Sequence, residues 1–104
     1  MYKFKAKFIP KDGSLFDPGE DFIIEVDKSF FKSYQEKLFG GKKNEYVCGI
    51  GKIESALVSK KGFLSGYRLV IMTSDGIDHS FDFSKQAQAE EVRNTILMCQ
   101  QGKN

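Results

Sequence analysis

The sequence predicts an α+β domain: a strongly bent antiparallel sheet, or partly open barrel, of about six strands, with one helix capping it at the C-terminus. Three observations carry this prediction. Most of the chain alternates apolar and polar residues with period two, the pattern of half-buried strands. Turn signals, above all Asp75-Gly76, separate those runs by only a few residues, so neighbouring strands run antiparallel. Helical spacing is sustained only after Ser84, where Ala89, Val92, Ile96 and Cys99 form one apolar stripe. A further short helix is expected near 29–39.

Taken in order, Tyr2, Phe4, Ala6 and Phe8 alternate with Lys3, Lys5 and Lys7, a strand with a lysine face. Pro10 and Asp12-Gly13 end it, and Ser14–Glu20 reads as a loop. Phe22, Ile24 and Val26 mark a second strand. In Ser29–Phe39 the residues Phe30, Phe31, Tyr34 and Leu38 lie at helical offsets, with Ser29 as N-cap and Gly40-Gly41 as the stop. The competing reading there is a strand, which aromatic residues favour.

Lys42–Asn44 reads as a polar link. Glu45–Ser59 is rich in strand formers but carries Gly49 and Gly51, so two strands or one sharply bent strand are expected. Lys60-Lys61-Gly62 is a turn, Phe63–Thr73 a strand kinked at Gly66, and Ile77–Phe83 the last strand, with Ile77, His79, Phe81 and Phe83 on one face. Ser84 then caps the final helix.

The 104 residues fit one domain, 1–104, with a polar tail from about residue 100. Apolar residues at 40% and charged residues at 29% suit a globular domain and exclude a disordered one. Ten Phe and four Tyr with no Trp point to a core built on Phe. Cys48 and Cys99 make no CxxC pair and sit among apolar neighbours, so they read as buried free thiols in a reducing cytoplasm. The start, MYKFKAKFIP, alternates where a signal peptide would need an unbroken apolar stretch, and no apolar run is long enough to span a membrane.

The segment from Ile53 to Leu97 resembles the C-terminal part of pleckstrin-homology-like (PH-like) domains. A strand with a basic turn, IESALVSKKG, leads to YRLVIMTSDG, then to an aromatic-ended strand, DHSFDF, and a helix. The resemblance implies a barrel plugged at one end by that helix. The family has seven strands, so a helix at 29–39 would be an insertion.

Catalytic patterns are absent. His79, the single histidine, falls in phase with Ile77, Phe81 and Phe83 and reads as structural. An enzyme using it would need a Cys or Ser partner that only the fold could supply. One His and two scattered Cys are too few for a metal site, and no cofactor motif is present. Asp75, Asp78 and Asp82 do not match a calcium loop, and alternation makes Asp78 and Asp82 solvent-facing; Asp12, Asp17, Glu20 and Asp21 receive the same reading. Gly49–Lys52, GIGK, lacks phosphate-loop spacing, and no GxSxG elbow occurs.

What remains is binding, and a non-enzymatic domain acting through contacts with a protein partner is the leading expectation. A second is an anionic lipid surface, or a phosphorylated ligand, held by Lys3, Lys5, Lys7 and Lys11 with the Lys60-Lys61 turn. In membrane-binding PH-like domains the resemblance places basic residues near the open end of the barrel; here the first loop is as acidic as it is basic. The plain alternative is a solvated lysine face that guards an edge strand. A net charge of +2, with the aromatic residues on the apolar phase, argues against nucleic acid.

Overall fold

The structure is a computed structural model that describes residues 1–8, 20–61 and 66–102. Among these residues, seven strands and one α-helix follow in order: β1 (Tyr2–Phe8), β2 (Glu20–Val26), β3 (Phe30–Glu36), β4 (Lys42–Gly49), β5 (Ile53–Lys60), β6 (Tyr67–Thr73), β7 (Asp78–Phe83) and α1 (Gln86–Gln100). A single 3-10 turn (Ile50–Lys52) joins β4 to β5. All neighbouring strands are antiparallel, in the order β4-β3-β2-β1-β7-β6-β5. The sheet is bent and does not close, so β4 and β5 are its two edges.

Two halves meet at a narrow seam. β1 pairs with β2 along its whole length, but with β7 only through Lys7 opposite Asp82 and Phe8 opposite Phe81. β1 is therefore interior at its C-terminal end, while Tyr2–Ala6 has a paired strand on the β2 side only, among the described residues.

The concave face carries the core. Phe31, Phe81, Ile24, Leu69 and Ile71 are fully buried, and Phe81 meets Phe22 and Phe31 edge to face with ring centres 6.4 Å apart. Such pairs add about 0.5–1.5 kcal/mol beyond burial of their area. The stripe of α1 closes the core: Ala89, Val92, Ile96 and Cys99 are buried against β5, β6 and β7, as their spacing requires. Cys99 and the half-buried Cys48 are free thiols, and burial pushes both pKa values up. Lys85, one residue later than expected, occupies the N-cap of α1, while the Gln88 side chain accepts from the Lys85 N–H and the Ser84 hydroxyl. At the other end Gln100, expected to begin the polar tail, donates Nε2 to the carbonyls of Ile50 (3.1 Å) and Ile53 (2.8 Å).

Segment 29–39 is not a helix: Phe30–Glu36 is a strand and Leu38 and Phe39 lie in the turn after it, which also brings the strand count to seven among the described residues. The turn into it is built by Asp27, whose Oδ1 accepts the N–H groups of Ser29 and Phe30, both at 2.7 Å. The register of β3 on β4 slips between Ser33 and Gln35. The extra residue of that slip lies on β4, and β3 itself alternates without a break: Phe31 enters the core while Tyr34 is buried on the opposite face against Glu25, so burial on both faces imitates helical spacing. Half of the supposed stripe is exposed, Phe30 at 49% and Leu38 at 90%.

The predicted break in 45–59 is present as the 3-10 turn, and the predicted polar link 42–44 belongs to β4. Ile77 lies in the β6–β7 turn ahead of its strand. The loop expected at Ser14–Glu20, apart from its last residue, lies outside the described residues. So do Lys11, Asp12, Asp17 and the start of the strand expected from Phe63.

Candidate binding surfaces

Lys3, Lys5 and Lys7 all project from the outer face of β1 and are exposed. Their cross-strand neighbours on β2 are Glu25, Ile23 and Asp21. Lys7 pairs with Asp21 at 2.6 Å in an exposed ion pair; neither Lys3 nor Lys5 makes an ion pair among the described residues. Glu25 is enclosed, 8% exposed, between Lys3 on one side and Lys32 of β3 on the other, and accepts the hydroxyl of Tyr34. That hydrogen bond, with burial, pushes the Tyr34 pKa up to about 12.

The lysines of the β5–β6 connection divide. Lys60 is exposed at the end of β5. Lys61 turns back onto Asp82 at 2.7 Å, beside Arg68, whose Nε reaches the same carboxylate at 2.9 Å. Asp82 is therefore not solvent-facing: it is 7% exposed. β7 lies inside the sheet, and the long side chains of its neighbours cover its outer face, which alternation alone cannot register. Burial pushes the Asp82 carboxyl up, but its bonds to Arg68 and Lys61 outweigh that and hold it below the usual range. Lys61 is thus already occupied by an internal partner.

Two clefts flank β1 near its C-terminal end. One, of about 490 Å3, is lined by Lys5, Asp21, Gln35, Glu36 and Lys43 among others. The other, of about 280 Å3, is lined by Lys5, Lys7, Asp21, Asp82 and Gln88 among others. Each mixes lysines with carboxylates, so neither concentrates positive charge as a polyphosphate pocket would.

A third grouping escaped sequence reasoning. Across the gap between β4 and the β6–β7 hairpin, Tyr46 donates its hydroxyl to Asp75 Oδ2 at 2.8 Å, and its ring lies 4.3 Å from that of His79. Thr73 donates to Asp75 and sits 3.5 Å from His79 Nε2. His79 is 6% exposed; burial lowers its pKa against the pull of Asp75 and Asp78. Burial also raises the pKa of the Cys48 thiol, which disfavours the thiolate that nucleophilic chemistry needs. No signal in the sequence links Tyr46 to a turn so far along the chain. Among the described residues no group of His, Cys, Asp or Glu is placed to hold a metal ion, and no helix is long and apolar enough to cross a membrane.

A bent antiparallel sheet capped by one C-terminal helix is the PH-like fold. Among solved structures, the chain is similar to the pleckstrin homology (PH) domain of USP37, with a TM-score of 0.63 and 16% identity, over 99% of this chain and 100% of that one. The likeness expected for Ile53–Leu97 thus extends over almost the entire chain, and the segment once read as a helical insertion supplies one of the seven strands. At that identity the likeness speaks for fold alone. No protein-family model matches the sequence, and no curated protein matches it.

Proposed function

We propose that the chain is a binding domain without catalytic activity, and that it takes a protein partner by strand addition along β5. The observation that carries this reading is the contrast between the two sheet edges. β4 is blunted by Lys42, Lys43 and Glu45 and by Asn44, whose φ of 51° breaks the extended backbone. β5 has eight residues with charge only at Glu54 and Lys60, and Leu57 at its centre is 62% exposed. An extended peptide added there would satisfy the outward backbone groups of β5 and lie beside α1, which packs against this strand. The two free thiols suit a reducing compartment such as the cytoplasm.

The test is a photo-cross-linking residue at Leu57, with Val47 of β4 as control, exposed to native extract. One discrete adduct at position 57 and none at 47 supports the reading. An adduct confined to 47, or no adduct at either position, overturns it.

A second reading is contact with anionic lipid through the face of Lys3, Lys5 and Lys7, with Lys11 and the Lys60-Lys61 turn as further candidates. It is favoured by Lys3 and Lys5 standing exposed without ion pairs among the described residues. Lys61 contributes least to it, because Asp82 holds that ammonium.

A further inference from the structure

The charge on β5 is arranged antisymmetrically about its exposed leucine. Leu57 has Glu54 three residues before it and Lys60 three after, and the rest of the strand is uncharged. Ser55 and Ser59 stand two residues from Leu57 on either side, Ala56 and Val58 one residue. Glu54 and Lys60 are both exposed, and neither makes an ion pair among the described residues. From Ser55 to Lys60 the strand pairs with β6 without a break; the one slip in register falls at Glu54. Gln100 of α1 takes the carbonyl of Ile53, but beyond it no backbone group of 55–60 bonds outside the β5–β6 pair among the described residues.

We propose that the partner of this edge is a second copy of the chain: two β5 strands pair antiparallel about a two-fold axis at Leu57, so that one seven-stranded sheet continues into the other. In that register Glu54 of each copy faces Lys60 of the second copy, the serines face each other, and Ala56 faces Val58. Leu57 meets Leu57 on the axis. Val70 is the neighbour of Leu57 on β6, so an apolar row of Val70, Leu57, Leu57 and Val70 crosses the join. Other registers lose the match. A parallel pairing in step sets Glu54 against Glu54 and Lys60 against Lys60. A shift of the antiparallel pair by one residue brings Glu54 opposite Lys61, which Asp82 already holds, and leaves Lys60 opposite Ser55. The charges therefore select the register, and the leucine contact supplies apolar burial. The inference rests on the reading above, that β5 accepts a protein strand, and it names the strand.

The test is sedimentation velocity of the purified chain across the micromolar range, with the urea midpoint of each variant as the check on folding. The wild type is expected to pass from monomer to dimer as concentration rises. Glu54→Lys sets lysine against lysine at both ends of the join, and Lys60→Glu sets glutamate against glutamate; each should weaken the dimer at least about tenfold. Mixed in equal amounts, E54K and K60E should form a heterodimer, because both end pairs are then opposite in sign. The double reversal, E54K with K60E in one chain, should dimerise like the wild type. Leu57→Lys should stay monomeric with an unchanged urea midpoint, since the side chain is exposed. A wild type that stays monomeric throughout, while a cross-linker at position 57 captures a different protein, overturns the second copy and leaves strand addition standing. A monomeric wild type with no adduct at 57 removes both. A dimer that L57K and both single reversals leave intact joins elsewhere and also overturns the proposal.

Discussion

Tyr46 and Asp75 join parts of the sheet that share no strand pairing. Tyr46 belongs to the edge strand β4, Asp75 to the turn between β6 and β7, and the phenol hydroxyl bridges them at 2.8 Å. Tyr46→Phe keeps the ring against His79 and removes only that bridge. It should lower the urea midpoint slightly with the slope unchanged, whereas Tyr46→Ala, which also removes the ring contact, should lower it clearly more.

His79 makes the same region sensitive to acid. Burial holds its folded pKa below the ordinary value, so the fold favours the neutral ring. Stability from this group is fully present above an unfolded pKa of about 6.5 and is lost as pH falls through the lower folded value. The urea midpoint should decline on acidification from about pH 6.5, before ordinary carboxylates titrate. In His79→Gln that early decline should be absent, leaving a flat profile down to about pH 5.

Asp82 acts at lower pH. Its folded pKa is depressed, so its contribution is present above about pH 4 and is lost as pH falls further. Asp82→Asn leaves Lys61 and Arg68 facing a neutral group and should cost about 1–3 kcal/mol at neutral pH, measured by denaturant unfolding. The same variant should lose less stability than the wild type between pH 4 and pH 2.

Tyr34 predicts the behaviour in alkali. With its pKa raised to about 12, its stabilising contribution is complete below pH 10 and is lost as pH rises toward 12. Tyr46 is raised to about 12 as well, first by burial. Ultraviolet titration should therefore show two late phenols, and Tyr34→Phe should remove one of them. That variant also strips the enclosed Glu25 of its hydroxyl donor, at a cost of about 1–3 kcal/mol.

What could be read from the residues follows the range of the forces involved. The α1 stripe, the Asp75-Gly76 hairpin and the lysine alternation of β1 are local periodicities, and each stands as expected. β3 misled because it buries large side chains on both faces, Phe31 on one and Tyr34 on the other, and their spacing of three imitates a helix. Leu38 was hidden by the same helical reading: a residue assigned to a helical stripe is assumed buried, and the hairpin puts it at a tip instead. Asp82 and the Tyr46 grouping depend on which strands become neighbours, and period alone carries no information about that.

The seam between β1 and β7 bears on how the chain emerges during synthesis. β1 is made before β2 and can zip with it at once, but its second neighbour, β7, is the last of the described strands to be made. Until β7 arrives, the nascent sheet exposes the open side of β1 to every other chain in the crowd. Lys3, Lys5 and Lys7 repel like-charged strands through that interval. In the finished molecule β7 covers β1 only at Lys7 and Phe8, so the same charges still stand over a stretch of backbone that no strand pairs on that side among the described residues.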